Sequence, residues 1–180
     1  ACCPPNLART VSSIASYAYT ENDTTLFVHL YMGGTLEGEK VKASITSEFP
    51  WDGHVSLTCE SDTAESYTFA FRIPGWCSGY KKGIPAGAEA EEKDGYLYVT
   101  KVWAEGETIR LNFPMEIQLL ASNPLVREDA GRATVKRGPV VYCMEEVDNG
   151  KNLHLTKICV NGAKTAEAVD EMGEHFVRVS

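Results

Sequence analysis

The first twenty residues carry hydrophobic side chains at helical spacing. Pro4 and Pro5 stand where a helix can begin, because a proline in the first turn gives up no intrahelical hydrogen bond. An apolar stripe with the spacing i, i+4, i+7, i+8 and i+11 follows, made of Leu7, Val11, Ile14, Ala15 and Ala18. The pattern predicts one amphipathic helix that ends at the polar run TENDTT (20–25). Its stripe must pack either on the rest of this chain or on a helical domain outside it.

After this helix the period of the hydrophobic pattern changes to two. Apolar or alternating runs recur, separated by turn sequences such as PWDG and KDG: TLFVHLYM (25–32), KVKASIT (40–46), GHVSLTC (53–59), SYTFAFRI (66–73), GYLYVTKVW (95–103), ETIRLNF (107–113), MEIQLLAS (115–122), RATVKRG (132–138), PVVYCME (139–145), NLHLTKICV (152–160) and HFVRVS (175–180). About ten short strands at this spacing are typical of a β-sandwich. The predicted fold class is therefore mainly β, a β-sandwich preceded by one N-terminal helix.

Three local expectations follow from the same pattern. The alternation in SYTFAFRI places Phe69 in the core. The polar segment GIPAGAEAEEKDG (83–95) is expected to be an exposed hairpin or loop. The segment AKTAEAVDEMG (163–173) could form a second, short helix.

Charge and motif content exclude several classes of function. The 180 residues contain 17 Lys and Arg against 25 Asp and Glu, a net charge of −8, which argues against a nucleic-acid partner. No run of 18 apolar residues occurs, so no membrane partner is expected. The sequence has no dinucleotide-binding, P-loop or serine-hydrolase motif. No pair of carboxylates is marked as facing a glycosidic bond.

Six cysteines are too few for a disulfide scaffold in a chain of this length. Four of them lie in apolar surroundings, namely Cys59, Cys77, Cys143 and Cys159. Because free cysteine is among the most buried residue types, these four are predicted to be buried thiols.

The adjacent cysteines Cys2 and Cys3 are a different case. A disulfide between them would be strained, because consecutive Cα atoms are about 3.8 Å apart and disulfides usually span about 4.4–6.8 Å. Two functional interpretations remain: a thiolate pair that binds a soft metal such as zinc, or one nucleophilic thiol at a helix N-terminus. Both need partner residues that the sequence does not reveal, and two incidental thiols are the third interpretation.

Several motifs resemble those of one enzyme family. CCPPN (2–6), RIPGWC (72–77) and RGPVVYC (137–143) occur in this order, and together they closely resemble the β-L-arabinofuranosidases of glycoside hydrolase family 127. The likeness extends to about Asn149. In that family an (α/α)6 barrel carries the active site and β-sandwich modules follow it. The resemblance implies that residues 1–20 are the last helix of a truncated catalytic barrel, 21–124 the β-sandwich, and 125–180 the start of a second, incomplete β module.

The resemblance also implies a chemistry. Cys2 matches the family's nucleophile and Cys3 the neighbouring thiolate, and both would bind one zinc ion together with a Cys and a Glu from the barrel. The intact enzyme would release L-arabinofuranose from β-L-arabinofuranosides with retention, taking an arabinofuranoside or plant-derived oligosaccharide into the barrel. This chain alone is expected to be inactive and to keep no zinc, and its helix stripe could drive homodimerisation.

The alternative function is a carbohydrate-binding or purely structural β-sandwich module. Trp51, Trp76 and Trp103 could stack on sugar rings, or they could pack the core or cover its edge. The packing role is preferred, because each tryptophan lies beside a turn or at a strand end.

Overall fold

The computed structural model describes residues 2–155, 164–171 and 174–179. The chain divides into two compact units, Ala1–Pro114 and Met115–Ser180. The helices of the described part are α1 (Cys3–Ser13), α2 (Ala15–Ala18) and α3 (Glu146–Asn149), with short 3₁₀ turns at Arg127–Asp129 and Leu153–Leu155. Its strands are β1 (Tyr19–Glu21), β2 (Thr25–Val28), β3 (Gly34–Glu37), β4 (Lys42–Ser47), β5 (His54–Cys59), β6 (Tyr67–Arg72), β7 (Lys81–Gly83), β8 (Glu89–Lys93), β9 (Tyr96–Lys101), β10 (Thr108–Asn112), β11 (Ile117–Ala121), β12 (Ala133–Arg137), β13 (Val140–Tyr142), β14 (Ala166–Glu171) and β15 (Glu174–Val179).

The first unit is built from two five-stranded sheets. One has the strand order β1-β2-β6-β9-β8 and the other β3-β4-β5-β10-β7. Neighbouring strands are antiparallel except β2 and β6, which run parallel. A single hydrophobic cluster takes side chains from both sheets, as in a sandwich. The predicted fold class, mainly β with one helical segment first, is confirmed.

Alternation along the strands determines which side chains enter this core. Val55, Leu57 and Cys59 on β5 are all buried, whereas the residues between them are partly exposed. Phe69 on β6 is completely buried, as its place in the alternation predicted. The period of two therefore identified the inner face of these strands correctly.

The polar segment 83–95 forms part of an exposed hairpin, as expected. Every residue of β8 is exposed, and β8 pairs with β9 across the turn at Asp94 and Gly95. Both turn residues have positive φ, 50° and 79°, which is the backbone conformation that a tight two-residue hairpin turn requires.

The N-terminal helical segment is shorter than predicted and its apolar stripe is mostly exposed. Leu7 and Val11 on α1 are 66% and 64% exposed. Ala18 at the end of α2 is buried, and its carbonyl oxygen accepts hydrogen bonds from the backbone N–H groups of His29 and Leu30 at 2.8 and 3.2 Å. The segment is thus attached to the sandwich at its C-terminal end, where β1 begins.

The second unit has a three-stranded sheet, β11-β12-β13, and the pair β14-β15. Because β11 pairs with β12 and not with a sandwich strand, the boundary between the units follows Pro114. It lies ten residues before the expected end of the sandwich at residue 124.

Three expectations for this unit are wrong, and one lies outside the described residues. The run 152–160 was expected to be a strand, but Leu153–Leu155 form a 3₁₀ turn, and residues 156–160 are not among the described residues. The suggested helix at 163–173 is wrong, since Ala166–Glu171 is a strand paired with β15 along its full length. Cys143 was expected to be buried but is exposed, because β13 ends at Tyr142 and Cys143 lies beyond the sheet. Cys159 is not among the described residues.

In the part of the chain that the structure describes, no helix is long and apolar enough to cross a membrane.

Candidate functional site

Cys2 and Cys3 lie side by side at the start of α1. Their Sγ atoms are 3.8 Å apart, and both residues are exposed. Both are free thiols, in agreement with the sequence argument against a disulfide, whose S–S bond would be about 2.05 Å long. The structure therefore places two solvent-exposed sulfur atoms next to each other.

The backbone at this helix start is unusual. Cys2 is the N-cap residue, but its φ and ψ of −88° and −26° are helical, whereas an N-cap residue usually has extended angles. Its side chain makes no capping hydrogen bond. Its carbonyl oxygen accepts the N–H of Asn6 at 3.3 Å, so the helical hydrogen-bond pattern already begins at Cys2.

The sulfur spacing fits two positions of a zinc site. Two thiolates that each bind a tetrahedral zinc ion at about 2.3 Å have their sulfurs about 3.8 Å apart, and 3.8 Å is the distance observed. Among the described residues no group of three or more His, Cys, Asp or Glu side chains could hold a metal ion. Cys2 and Cys3 thus fit half of a four-ligand zinc site.

A second polar constellation occurs on the outer face of the β5–β10 pair. The Asp52 carboxylate lies 2.5 Å from Nδ1 of His54, and the Asn112 amide nitrogen lies 2.9 Å from Nε2 of the same ring. Both ring nitrogens are therefore used, which fixes the imidazole. Asp52 and His54 border an open concavity of about 340 Å³ that Arg110 and Glu48 also line. The spacing Asp-x-His is visible in the sequence, but nothing in the sequence marks Asn112 as its third member.

His29 is also held at both ring nitrogens. Nδ1 lies 2.7 Å from the Tyr96 hydroxyl, and Nε2 lies 2.7 Å from the Thr20 hydroxyl. Partial burial, and to a lesser extent the positive charge of Arg72, lowers the pKa of His29 below its usual value. An imidazole held between Thr20 of β1 and Tyr96 of β9 is a structural arrangement.

The three tryptophans do not form an exposed stacking surface. Trp103 is 2% exposed and donates its indole N–H to the carbonyl oxygen of Tyr67 at 2.8 Å. Trp76 is half-buried, with its ring 6.1 Å from that of Phe49, and Trp51 is half-buried as well. The preferred interpretation, that the tryptophans pack the core or its edge, is confirmed for Trp103 and agrees with the burial of the other two.

Comparison with protein families gives two matches along the chain. Residues 25–115 match the model described as β-L-arabinofuranosidase, GH127 middle domain. Residues 117–170 match the glycoside hydrolase family 127 C-terminal domain. The two matches meet next to the boundary between the compact units, while Cys2 and Cys3 precede the first match.

Individual relatives agree with these matches. The chain is 38% identical to a non-reducing end β-L-arabinofuranosidase of Bifidobacterium longum subsp. longum, over 93% of this chain and 27% of that protein. A GH127 β-L-arabinofuranosidase from Geobacillus stearothermophilus T6 has a similar structure, with a TM-score of 0.84 and 39% identity over 99% of this chain and 29% of that one. Another GH127 β-arabinofuranosidase superposes with a TM-score of 0.84 at 27% identity, over 99% of this chain and 32% of the other. The chain thus spans little more than a quarter of the length of the curated relative it matches.

Proposed function

The chain belongs to glycoside hydrolase family 127, and we propose that it supplies the β-domains and two active-site cysteines of a retaining, zinc-dependent glycosidase that releases L-arabinofuranose from β-L-arabinofuranosides. The observation that carries this proposal is the pair Cys2–Cys3, whose sulfurs are spaced for one tetrahedral zinc ion and which is followed by the two GH127 domains. The 38% identity to a β-L-arabinofuranosidase supports the substrate class.

In this proposal the two cysteines have different roles. Zinc, when bound, would keep both side chains as thiolates, since only the thiolate is a metal ligand and a good nucleophile. The Cys2 sulfur attacks the anomeric carbon of a terminal arabinofuranosyl unit, and the bond from that carbon to the leaving-group oxygen breaks. Cys3 would be the second sulfur ligand of the same zinc ion and would so orient Cys2.

The remaining steps need groups outside this chain. An acid elsewhere in the longer enzyme gives a proton to the departing oxygen, so that an alcohol leaves. The same group, now a base, takes a proton from water, whose oxygen displaces the Cys2 sulfur. Two inversions at one carbon give net retention. The described residues provide two sulfur ligands and no third, which is consistent with a site completed by another part of the enzyme.

Replacement of the nucleophile tests the proposal directly. In the longer enzyme, Cys2→Ser should abolish release of an aryl leaving group from an aryl β-L-arabinofuranoside, whereas Cys143→Ser, at an exposed cysteine in the second unit, should leave the rate unchanged. The 180-residue chain by itself should show no turnover. A Cys2→Ser enzyme with a nearly native rate would refute the assignment of the nucleophile.

A further inference from the structure

The two prolines after the cysteines occupy special positions of the helix. Because Cys2 is the N-cap residue of α1, Cys3 is the first helical residue, and Pro4 and Pro5 are the second and third. An N-cap side chain normally accepts a hydrogen bond from the backbone N–H of the second or third helical residue. Proline has no backbone N–H, so both of these donors are missing here.

If those donors were present, a thiolate at the N-cap position could accept a capping hydrogen bond instead of pairing with the neighbouring sulfur. In a capped helix the N-cap residue adopts extended backbone angles and turns its side chain over the end of the helix. Cys2 instead has helical angles and no capping bond, and its sulfur lies 3.8 Å from that of Cys3. The capped and the paired arrangements of Cys2 therefore differ in backbone conformation and exclude each other.

We propose that Pro4 and Pro5 are positioning residues for the cysteine pair. By removing both capping donors, they leave the capped conformation of Cys2 without its hydrogen bond, and the paired conformation that can chelate one metal ion prevails. This inference deepens the proposed function, since it rests on Cys2 and Cys3 binding the same ion.

The expected size of the effect follows from the strength of an ordinary cap. One capping hydrogen bond would favour the capped conformer about fivefold. A ligand that binds only the minor conformer has its apparent affinity reduced by the fraction of that conformer. Restoring the two donors should therefore weaken metal binding by the pair about fivefold.

The experiment uses the longer enzyme that contains this chain, with its metal removed, because the chain alone is expected to keep no zinc. Cadmium serves as a soft, thiolate-seeking probe. Cadmium titration is followed by the ultraviolet sulfur-to-metal charge-transfer band, and the part of the band that disappears in Cys3→Ser belongs to the pair. The double variant Pro4→Ala/Pro5→Ala should bind cadmium about fivefold more weakly than the native enzyme. Pro124→Ala, at an exposed proline in the second unit, is the matched control and should bind like the native enzyme.

A second readout separates positioning from general damage to the helix. In ¹H–¹⁵N spectra of the double variant without metal, one of the two backbone amide protons gained by replacing the prolines should show the downfield shift of a hydrogen-bonded group. That shift should be lost when Cys2→Ala is added to the double variant.

Unchanged cadmium affinity in the double variant would overturn the role of the prolines while leaving the zinc proposal in place. If the native longer enzyme shows no band that is lost in Cys3→Ser, the chelating pair is overturned. Turnover by Cys2→Ser remains the separate test of the nucleophile.

Discussion

Gly53 and Phe113, at the ends of the neighbouring strands β5 and β10, approach each other at a point where no side chain fits. The backbone N–H of Phe113 donates to the carbonyl oxygen of Gly53 at 2.9 Å. A Cβ atom at Gly53 would lie well under 3.0 Å from the carbonyl oxygen of Phe113, closer than real Cβ atoms approach. Gly53 ends the motif SEFPWDG and comes directly before β5, so the glycine is required by the close approach of two backbones.

Gly53→Ala should therefore destabilise the sandwich strongly. The added methyl group meets backbone, which cannot move aside like the end of a flexible side chain, and overpacking of this kind costs about 3 kcal/mol or more. Gly75→Ala is the matched control, because a Cβ atom there would meet open space, and it should change the free energy of unfolding by less than about 0.5 kcal/mol. Urea denaturation of both variants measures the difference. Equal stabilities would show that β5 and β10 are not this close.

Phe69→Ala tests the assignment of the inner sheet face. The Phe69 side chain is completely buried, and its ring lies 5.0 Å from that of Trp103 and 5.9 Å from that of Tyr67. Truncation should cost about 3–5 kcal/mol, the range for phenylalanine in a close-packed core. Phe27→Ala, on the half-buried outer face of the neighbouring strand, should cost clearly less. If the two variants lose the same stability, the faces of β2 and β6 are misassigned.

Trp103→Phe should show how much one buried hydrogen bond contributes to the stability of the fold. The variant keeps an aromatic ring but loses the indole N–H, so the carbonyl oxygen of Tyr67 loses this donor. Leaving a buried acceptor without its partner costs about 1–3 kcal/mol, to which the smaller ring adds. Trp76→Phe is the control, since Trp76 is only half-buried. Thermal unfolding followed by circular dichroism should show the larger loss for Trp103→Phe, and a larger loss for Trp76→Phe would contradict the assignment of Trp103 as the core residue.

The sandwich could be predicted from the sequence because its strands have one buried and one exposed face. Alternation is a strong signal under that condition, as β5 shows with Val55, Leu57 and Cys59 inside. In the second unit the same signal located β11, β12 and β13, but it gave no strand at 166–171. The run AEAVDE of β14 has the alanine and glutamate content of a helix, and its pairing with β15 overrides this local preference.

The candidate site could be predicted only in part. The pair of cysteines is obvious in the sequence, but its residue types alone left a metal site, a nucleophile and incidental thiols as alternatives. The 3.8 Å spacing of the sulfurs, which supports the proposed metal site, could not be read from the sequence because it depends on the helical backbone of Cys2. The Asp52–His54–Asn112 arrangement was missed because Asn112 is 58 residues from His54 and meets it only through the register of β5 and β10.

The last prediction concerns stability in acid. The Glu107 carboxylate accepts hydrogen bonds from the Lys101 ammonium and from the backbone N–H of Ala104, and these bonds lower the pKa of Glu107 below its usual value of 4.5. A carboxyl whose pKa is lower in the folded state stabilises the fold above its unfolded pKa, and this contribution is lost as the pH falls through the folded value. The native chain should therefore lose part of its stability as the pH drops below about 4.5.

Glu107→Gln removes the titrating carboxyl and should change how the free energy of unfolding depends on pH. The variant should be less stable than the native chain at about pH 7, and the gap between the two should narrow as the pH falls below about 4.5, because the native carboxylate then becomes protonated. Glu105→Gln, two residues away and exposed, is the matched control and should lie parallel to the native profile. Chemical denaturation across the acidic range measures all three chains. A gap between Glu107→Gln and the native chain that stays constant down to the acid limit would show that the bonds to Lys101 and Ala104 do not depend on the charge of this carboxylate.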